Sequence, residues 1–175
     1  SFLIKIMEQY NRYQTEKQPK DQVYNINISL TDYLTKKTKK ITLPIMKKCY
    51  CCEKEHRDNC FICKGQIYYI SNQIFTLPLN EYEITSIKGG NHLPFTSEPG
   101  NLTLYLEDKE HPVYKRIGSF NLFRKVYKEK DEIKFIHLDD KSYVVKLNEN
   151  KSVLRIDGFG LPDYNGGYGD LFLEI

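Results

Sequence analysis

Leu77-Pro78-Leu79-Asn80-Glu81 returns 68 residues later as Val145-Lys146-Leu147-Asn148-Glu149. Ile87-Lys88-Gly89 followed by Leu93-Pro94 returns as Ile156-Asp157-Gly158 followed by Leu161-Pro162, and Gly100-Asn101-Leu102 returns as Gly169-Asp170-Leu171. The offset stays at 68 or 69 residues and the blocks keep one order. A fixed period of this kind means two copies of one structural unit. The expected junction lies near residues 107–112.

The residues between these blocks say what the unit is made of. From Val23 the chain alternates, with Val23, Asn25 and Asn27 on one side and Tyr24, Ile26 and Ile28 on the other, the pattern of a half-buried strand. Ser29-Leu30-Thr31-Asp32 can cap a short helical turn reaching Leu34. A second strand over Lys40–Ile45 follows the lysine run 36–40. Further strands are expected over 66–70 and 73–79 about a Ser71-Asn72 turn. Others are expected over 82–87, 102–106, 121–127, 132–137, 142–147, 152–156 and 171–175. Gly, Asn, Asp and Pro clusters at 89–91, 99–101, 139–140 and 166–167 punctuate them. The expected fold is therefore mainly β, with two tandem small β-sandwich-like domains over 21–107 and 112–175. Residues 1–20, polar after a short apolar start, read as a linker or partly helical lead-in.

Composition agrees. Fourteen Tyr and nine Phe without Trp favour pleated, half-buried surfaces. Hydrophobic residues at 40% and charged residues at 28% allow both a core and solubility. The net charge of +3 gives no general argument for nucleic acid. No apolar run reaches the length of a membrane helix, and the first ten residues read as too short and wrongly flanked for a signal peptide. Asn27-Ile28-Ser29 and Asn101-Leu102-Thr103 match the glycosylation acceptor pattern, which is common by chance.

Cys49-x2-Cys52, seven residues, then Cys60-x2-Cys63 is the strongest chemical signal. Zinc takes four soft ligands at the corners of a tetrahedron, and two C-x2-C knuckles supply them. Four thiolates leave no open position, so the ion is structural rather than catalytic. The expected outgrowth spans 47–66. Gly65, two after Cys63, suits a knuckle that needs permissive backbone; Lys54 stands at the matching place in the first knuckle. Cys51 is a spare thiol and His56 a substitute ligand of poorer placement. Disulfides or free thiols are the competing reading of the same residues. Clustered rather than scattered cysteines favour a reducing compartment and hence the cytoplasm.

Catalysis finds no assembled constellation. His56, His92, His111 and His137 lack metal spacing on a helix, and no phosphate loop or G-x-S-x-G occurs. Gly158-Phe159-Gly160 lacks a third glycine, and Asp139-Asp140 reads as a turn. A non-enzymatic chain is the expectation.

Several blocks together resemble the carboxy-terminal, substrate-binding region of DnaJ-type co-chaperones, the J-domain proteins. Asn27-Ile28-Ser29-Leu30 through Thr38-Lys39-Lys40-Ile41-Thr42-Leu43-Pro44 resembles the strand, turn and strand leading into that family's zinc region, and the cysteines resemble a reduced form of it. Pro99-Gly100-Asn101-Leu102, with His111-Pro112-Val113-Tyr114-Lys115-Arg116-Ile117-Gly118, is similar to the link between the family's two β-domains. Gly158-Phe159-Gly160-Leu161-Pro162 through Gly166-Gly167-Tyr168-Gly169-Asp170-Leu171 is similar to its closing motif. The match covers about residues 21–175. It departs in having two cysteine units instead of four, which implies one zinc rather than two. It also has no His-Pro-Asp signature, a shorter and more charged 125–132 turn, and no dimerisation segment after the closing motif.

The resemblance implies binding of unfolded or extended apolar polypeptide in a groove beside a strand of the first domain. It implies cooperation with a DnaK-type ATP-driven chaperone through parts outside this chain, and a homodimer in a longer parent. By motif position the groove includes Ile41 and Leu43, two apart and so on one face, with Tyr114 in the place of a family aromatic. Gln22 stands where the family is aliphatic, shifting the pocket toward Val23 or Tyr24. The bland alternative makes Ile41 and Leu43 ordinary core and Tyr114 a packing aromatic. A competing function is a zinc-stapled protein-interaction or nucleic-acid-binding module using Lys36–Lys40, Tyr114-Lys115-Arg116 and Phe123-Arg124-Lys125.

Overall fold

The computed structural model of the chain describes Lys5 and residues 21–52, 58–93, 98–148 and 150–175. The expected lead-in over 1–20, apart from Lys5, lies outside these residues, as do Lys54, His56 and the repeat positions Pro94 and Glu149.

The described chain is mainly β with one short helix. Strand β1 (Gln22–Ile28) is followed by helix α1 (Leu30–Thr35) and by the long strands β2 (Thr38–Lys48) and β3 (Tyr68–Pro78). Strands β4 (Glu83–Ser86) and β5 (Leu102–Asp108) come next. The remainder are β6 (Lys115–Ile117), β7 (Asn121–Lys125), β8 (Lys128–Glu129), β9 (Glu132–Ile136), β10 (Ser142–Lys146), β11 (Val153–Ile156) and β12 (Leu171–Glu174). They form four sheets, ordered β1-β5-β4, β2-β3, β11-β12-β7-β6 and β10-β9-β8.

Some expectations change at the level of single elements. Strand β2 starts at Thr38, inside the lysine run, and continues past Ile45 to Lys48. Ser71-Asn72 is no turn but the middle of β3. Turn-forming residues suggested a break, yet in-and-out alternation runs unbroken from Tyr69 to Thr76, and the Ser71 hydroxyl accepts from the Gln73 amide at 2.9 Å. Alternation outweighs composition where one face is half-buried and the other exposed. The short β6, antiparallel to β7, occupies a stretch the sequence offers only as a link.

Two compact units are present. Among the described residues the first gathers those up to Ile26, 40–77 and 82–105; the second gathers 27–39, 78–81 and 106–175. Helix α1 belongs to the second. Ser29, extended at φ −68° and ψ 148°, accepts from the Asp32 amide at 3.1 Å and so caps it. Asp32 then pairs with Lys39 at 2.6 Å and Lys36 at 3.1 Å, which holds its carboxyl below the usual range. Leu30, on the same turn, joins Leu122, Ile133, Leu161, Leu171 and Leu173 in the core of this unit. Each such fully buried side chain contributes about 1.5–3 kcal/mol.

The repeat is written in hydrogen bonds. In the first unit Glu83–Ser86 runs antiparallel to Leu102–Tyr105; in the second, Val153–Ile156 runs antiparallel to Leu171–Glu174. Gln22 N–H donates to Asn101 O at 2.9 Å, as Leu122 N–H does to Asp170 O at 2.9 Å. The Asn101 amide donates to Asp21 Oδ1 and the Asp170 amide to Asn121 Oδ1, both at 2.8 Å. Gly90 N–H reaches Gly100 O at 2.9 Å, and Gly160 N–H reaches Gly169 O at 2.8 Å. Strand pairing puts Ser86, not Ile87, in the place of Ile156, because the connection to β5 is one residue longer than that to β12. Lys88, not Gly89, accordingly matches Gly158. Both are left-handed, at φ +57° and +76°, and each donates at 3.0 Å to the side chain of the matching Asn101 or Asp170. Gly160 must be glycine for want of space, since an added Cβ would lie 2.4 Å from Phe120 O.

Candidate metal centre

The connection from β2 to β3 carries all five cysteines, and all are free thiols. Cys49, Cys52, Cys60 and Cys63 are buried and form one cluster, with their sulfurs within 4.8 Å of one another. Cys49 Sγ lies 3.7 Å from Cys60 Sγ, and Cys52 Sγ lies 3.6 Å from Cys63 Sγ. Zinc–sulfur bonds of about 2.3 Å in a tetrahedron place sulfurs roughly 3.8 Å apart. A disulfide would require about 2.05 Å. The closest pairs thus have tetrahedral edge lengths, and the four residues make a site for a single structural zinc.

Local backbone explains how a short segment reaches this geometry. Cys52 N–H turns back to Cys49 O at 3.2 Å in the first knuckle, and Lys64 N–H to Cys60 O at 2.8 Å in the second. Gln66 N–H then reaches Cys63 O at 3.0 Å, and Cys49 N–H closes on Ile67 O at 2.6 Å. The reversal needs left-handed backbone at Lys64 (φ +53°), Gly65 (φ +81°) and Ile67 (φ +70°). For β-branched Ile67 this is a costly conformation, sustained only where surroundings fix it. Gly65 carries a second constraint, since a Cβ there would stand 2.6 Å from Asp58 O.

The electrostatics favour thiolates unevenly. Backbone amides of Cys63 and Ile62 aimed at its sulfur lower the Cys60 thiol to about 6, whereas burial pushes Cys49 up. Metal binding takes each as thiolate. Cys51, half-buried, packs on the outside of the cluster with Ile62 and Tyr69 and supplies none of its four sulfurs.

The residues expected to line a client groove fall in both units. Val23, Tyr24, Ile41 and Leu43 belong to the first, and Tyr114 to the second. Ile41 and Leu43 are both half-buried between exposed Lys40, Thr42 and Pro44, so they share one face of β2. Val23 is exposed and Tyr24 half-buried, on opposite faces of β1. Tyr114, only 3% exposed, sits in the core of the second unit, where its hydroxyl meets His137 Nδ1 at 3.0 Å.

That tyrosine is the centre of a cluster the sequence reading did not assemble. Arg124 lies over its ring at 5.1 Å and over Phe135 at 5.6 Å, and the edge-on rings of His111 and His137 flank it at 5.4 and 5.5 Å. His137 is buried, and burial pushes its pKa down against the charge of Asp139 and a backbone contact to Phe159. A histidine in phase with the inward Ile133 and Phe135 was the available signal.

No helix among the described residues is long and apolar enough to cross a membrane. No family model matches the chain, and no curated protein matches it.

Proposed function

We propose that the chain is a non-catalytic binding module for extended apolar polypeptide, working by strand addition along β2 with the zinc loop as its staple. The observation that carries this is the β2-β3 sheet, which has only two strands and no third on either side among the described residues. Met46 is already engaged, donating to Asn91 Oδ1 and accepting from His92 N–H, both at 2.9 Å; elsewhere a strand edge without a third strand offers main-chain donors and acceptors to a partner strand, and alternate side chains supply specificity. Ile41 and Leu43 are the alternate side chains of β2. Exposed Ile70 and Ile74 on β3 and Val23 on β1 add apolar surface in the same unit. The resemblance to DnaJ-type co-chaperones supports the same reading and adds a DnaK-type chaperone in the cytoplasm as the system served.

The test is titration of a fluorescent peptide rich in Leu and aromatic residues against parent and Ile41→Ser/Leu43→Ser chains. Half-buried side chains leave about half of the 1.5–3 kcal/mol of full burial to be gained on binding. The double variant should therefore bind roughly 10–150-fold more weakly. The parent should also suppress aggregation of an unfolded client without ATP. Far-UV dichroism and melting temperature must show the variant folded; a folded variant that binds like the parent removes β2 from the mechanism.

A second reading has its own observation. Tyr50 and Phe61 each follow the first cysteine of a knuckle, and are 71% and 95% exposed beside exposed Lys48 and Lys64. Exposed aromatics among lysines can stack single-stranded bases. Such binding falls steeply with salt, whereas groove binding does not.

A further inference from the structure

Of the three described arginines, two are matched by carboxylates. Arg116 grips Asp108 through Nε and NH2 at 2.7 and 2.9 Å, and Arg155 donates from Nε to Asp170 at 2.8 Å. Arg124 has no ion pair among the described residues. Its three hydrogen bonds, to Lys125 O, Tyr114 Oη and Ile136 O, are all 3.3 Å long and go to uncharged acceptors. This half-buried cation borders a cavity of about 230 Å³ in the second unit.

His111 stands on the same wall. Its Nδ1 accepts from the Val113 and Tyr114 amides at 3.1 and 3.0 Å, so the ring proton is on Nε2, which is a donor. Burial, and then the charge of Arg124, push the pKa of that ring down. Val113 and Ile136, both well exposed, give the cavity an apolar rim. One carboxylate, Asp140, also borders it without pairing to Arg124.

We propose that this cavity binds a small aliphatic carboxylate, its anionic end held by Arg124 and His111 and its alkyl end against Val113 and Ile136. With Nε and NH1 donating to the protein, NH2 is the nitrogen of Arg124 with no acceptor among the described residues and can give a charge-assisted hydrogen bond to the carboxylate, and a neutral imidazole N–H adds a second donor without competing charge. The volume admits one small molecule rather than a length of chain. Asp140 opposes the ligand's charge and limits its affinity.

Isovalerate and isovaleramide serve as the probe pair, titrated into the full chain while the His111 ring signals are followed by NMR. Isovalerate should give a saturating shift, and the uncharged amide should bind at least about tenfold more weakly, the value of one charge-assisted hydrogen bond. Arg124→Gln should cost about the same factor. Asp140→Asn should tighten binding severalfold; Asn tolerates the left-handed backbone at φ +62° found there. Equal binding of acid and amide, or no saturation with isovalerate, overturns the proposal on the parent chain alone, whether or not Arg124→Gln folds. Displacement of isovalerate by an equal concentration of inorganic phosphate would also overturn it, making the cavity a general anion site.

Discussion

Gly65→Ala tests the metal centre most directly, because two independent features of the backbone converge there. At φ +81° an L-residue costs about 1–2 kcal/mol more than glycine. The added Cβ would also lie 2.6 Å from Asp58 O, a backbone atom that cannot swing aside as a side-chain tip can. Relief requires the 58–65 backbone to shift, carrying Cys60 and Cys63 out of register with Cys49 and Cys52. Apparent zinc affinity should therefore fall about 10- to 100-fold, measured by competition with a chromophoric chelator. The neighbouring Lys64→Gly supplies the opposite sign. Lys64 is left-handed at φ +53°, so glycine removes that cost and gives back part of it as unfolded-state entropy. Its affinity should equal the parent's or exceed it severalfold. A Gly65→Ala chain binding zinc within about twofold of the parent would refute this account of the knuckle. So would equal damage from both substitutions.

Elemental analysis of the purified chain should find one zinc, and a ratio near two would contradict a single site of four cysteines. Cys60→Ser should lose the metal and disorder the 49–63 loop while far-UV dichroism of the sheets largely survives; global unfolding would place the site in the main core. Ser29→Ala should cost about 0.5–2 kcal/mol in chemical denaturation of the second unit by uncapping α1. Stability of that unit should fall as pH drops through about 6.5. His137 and His111 have folded pKa values below their unfolded ones, so the unfolded chain binds more protons in that window. His137→Phe should flatten the part due to His137, and an unchanged pH profile would show that its ring is not held neutral.

Much of this fold is legible because alternation is a local property. The inward residues of β5, Leu102, Leu104 and Leu106, and of β9, Ile133 and Phe135, follow period two and are buried in the structure. The cysteine spacing is equally local, since a C-x2-C turn fixes its own geometry. Non-local facts were not legible. No pattern near Leu30 says that α1 packs with residues after 106, and nothing in Ile67 announces left-handed backbone. The Tyr114–Arg124–His137 cluster joins positions from separate elements, and only the oddity of a histidine in an inward strand position pointed to it. Ser71-Asn72 has the composition of a turn but lies inside a continuous strand, and Lys88 rather than Gly89 holds the place of Gly158, because strand pairing outweighs local composition at both.

The zinc loop and the β2 edge are coupled through the fold itself. An isolated two-stranded sheet is marginal in water. The connection between β2 and β3 is far longer than a hairpin turn, yet Cys49 follows the last residue of β2 directly and its amide closes on Ile67, just before β3. Binding one ion across the 15 residues from Cys49 to Cys63 replaces a long floppy connection by a short closed one. A cross-link closing a loop of that length is worth about 3 kcal/mol in chain entropy. Chelation should therefore loosen the β2-β3 ladder, although no client atom need touch the metal. Hydrogen exchange at the amides of the 40–48 segment should quicken by about two orders of magnitude when zinc is removed. Peptide affinity should fall with it, while amides of β9 and β12 in the second unit keep their protection. Unchanged exchange in β2 after complete metal removal would mean that the strands hold each other without the clasp. The zinc would then staple only its own loop.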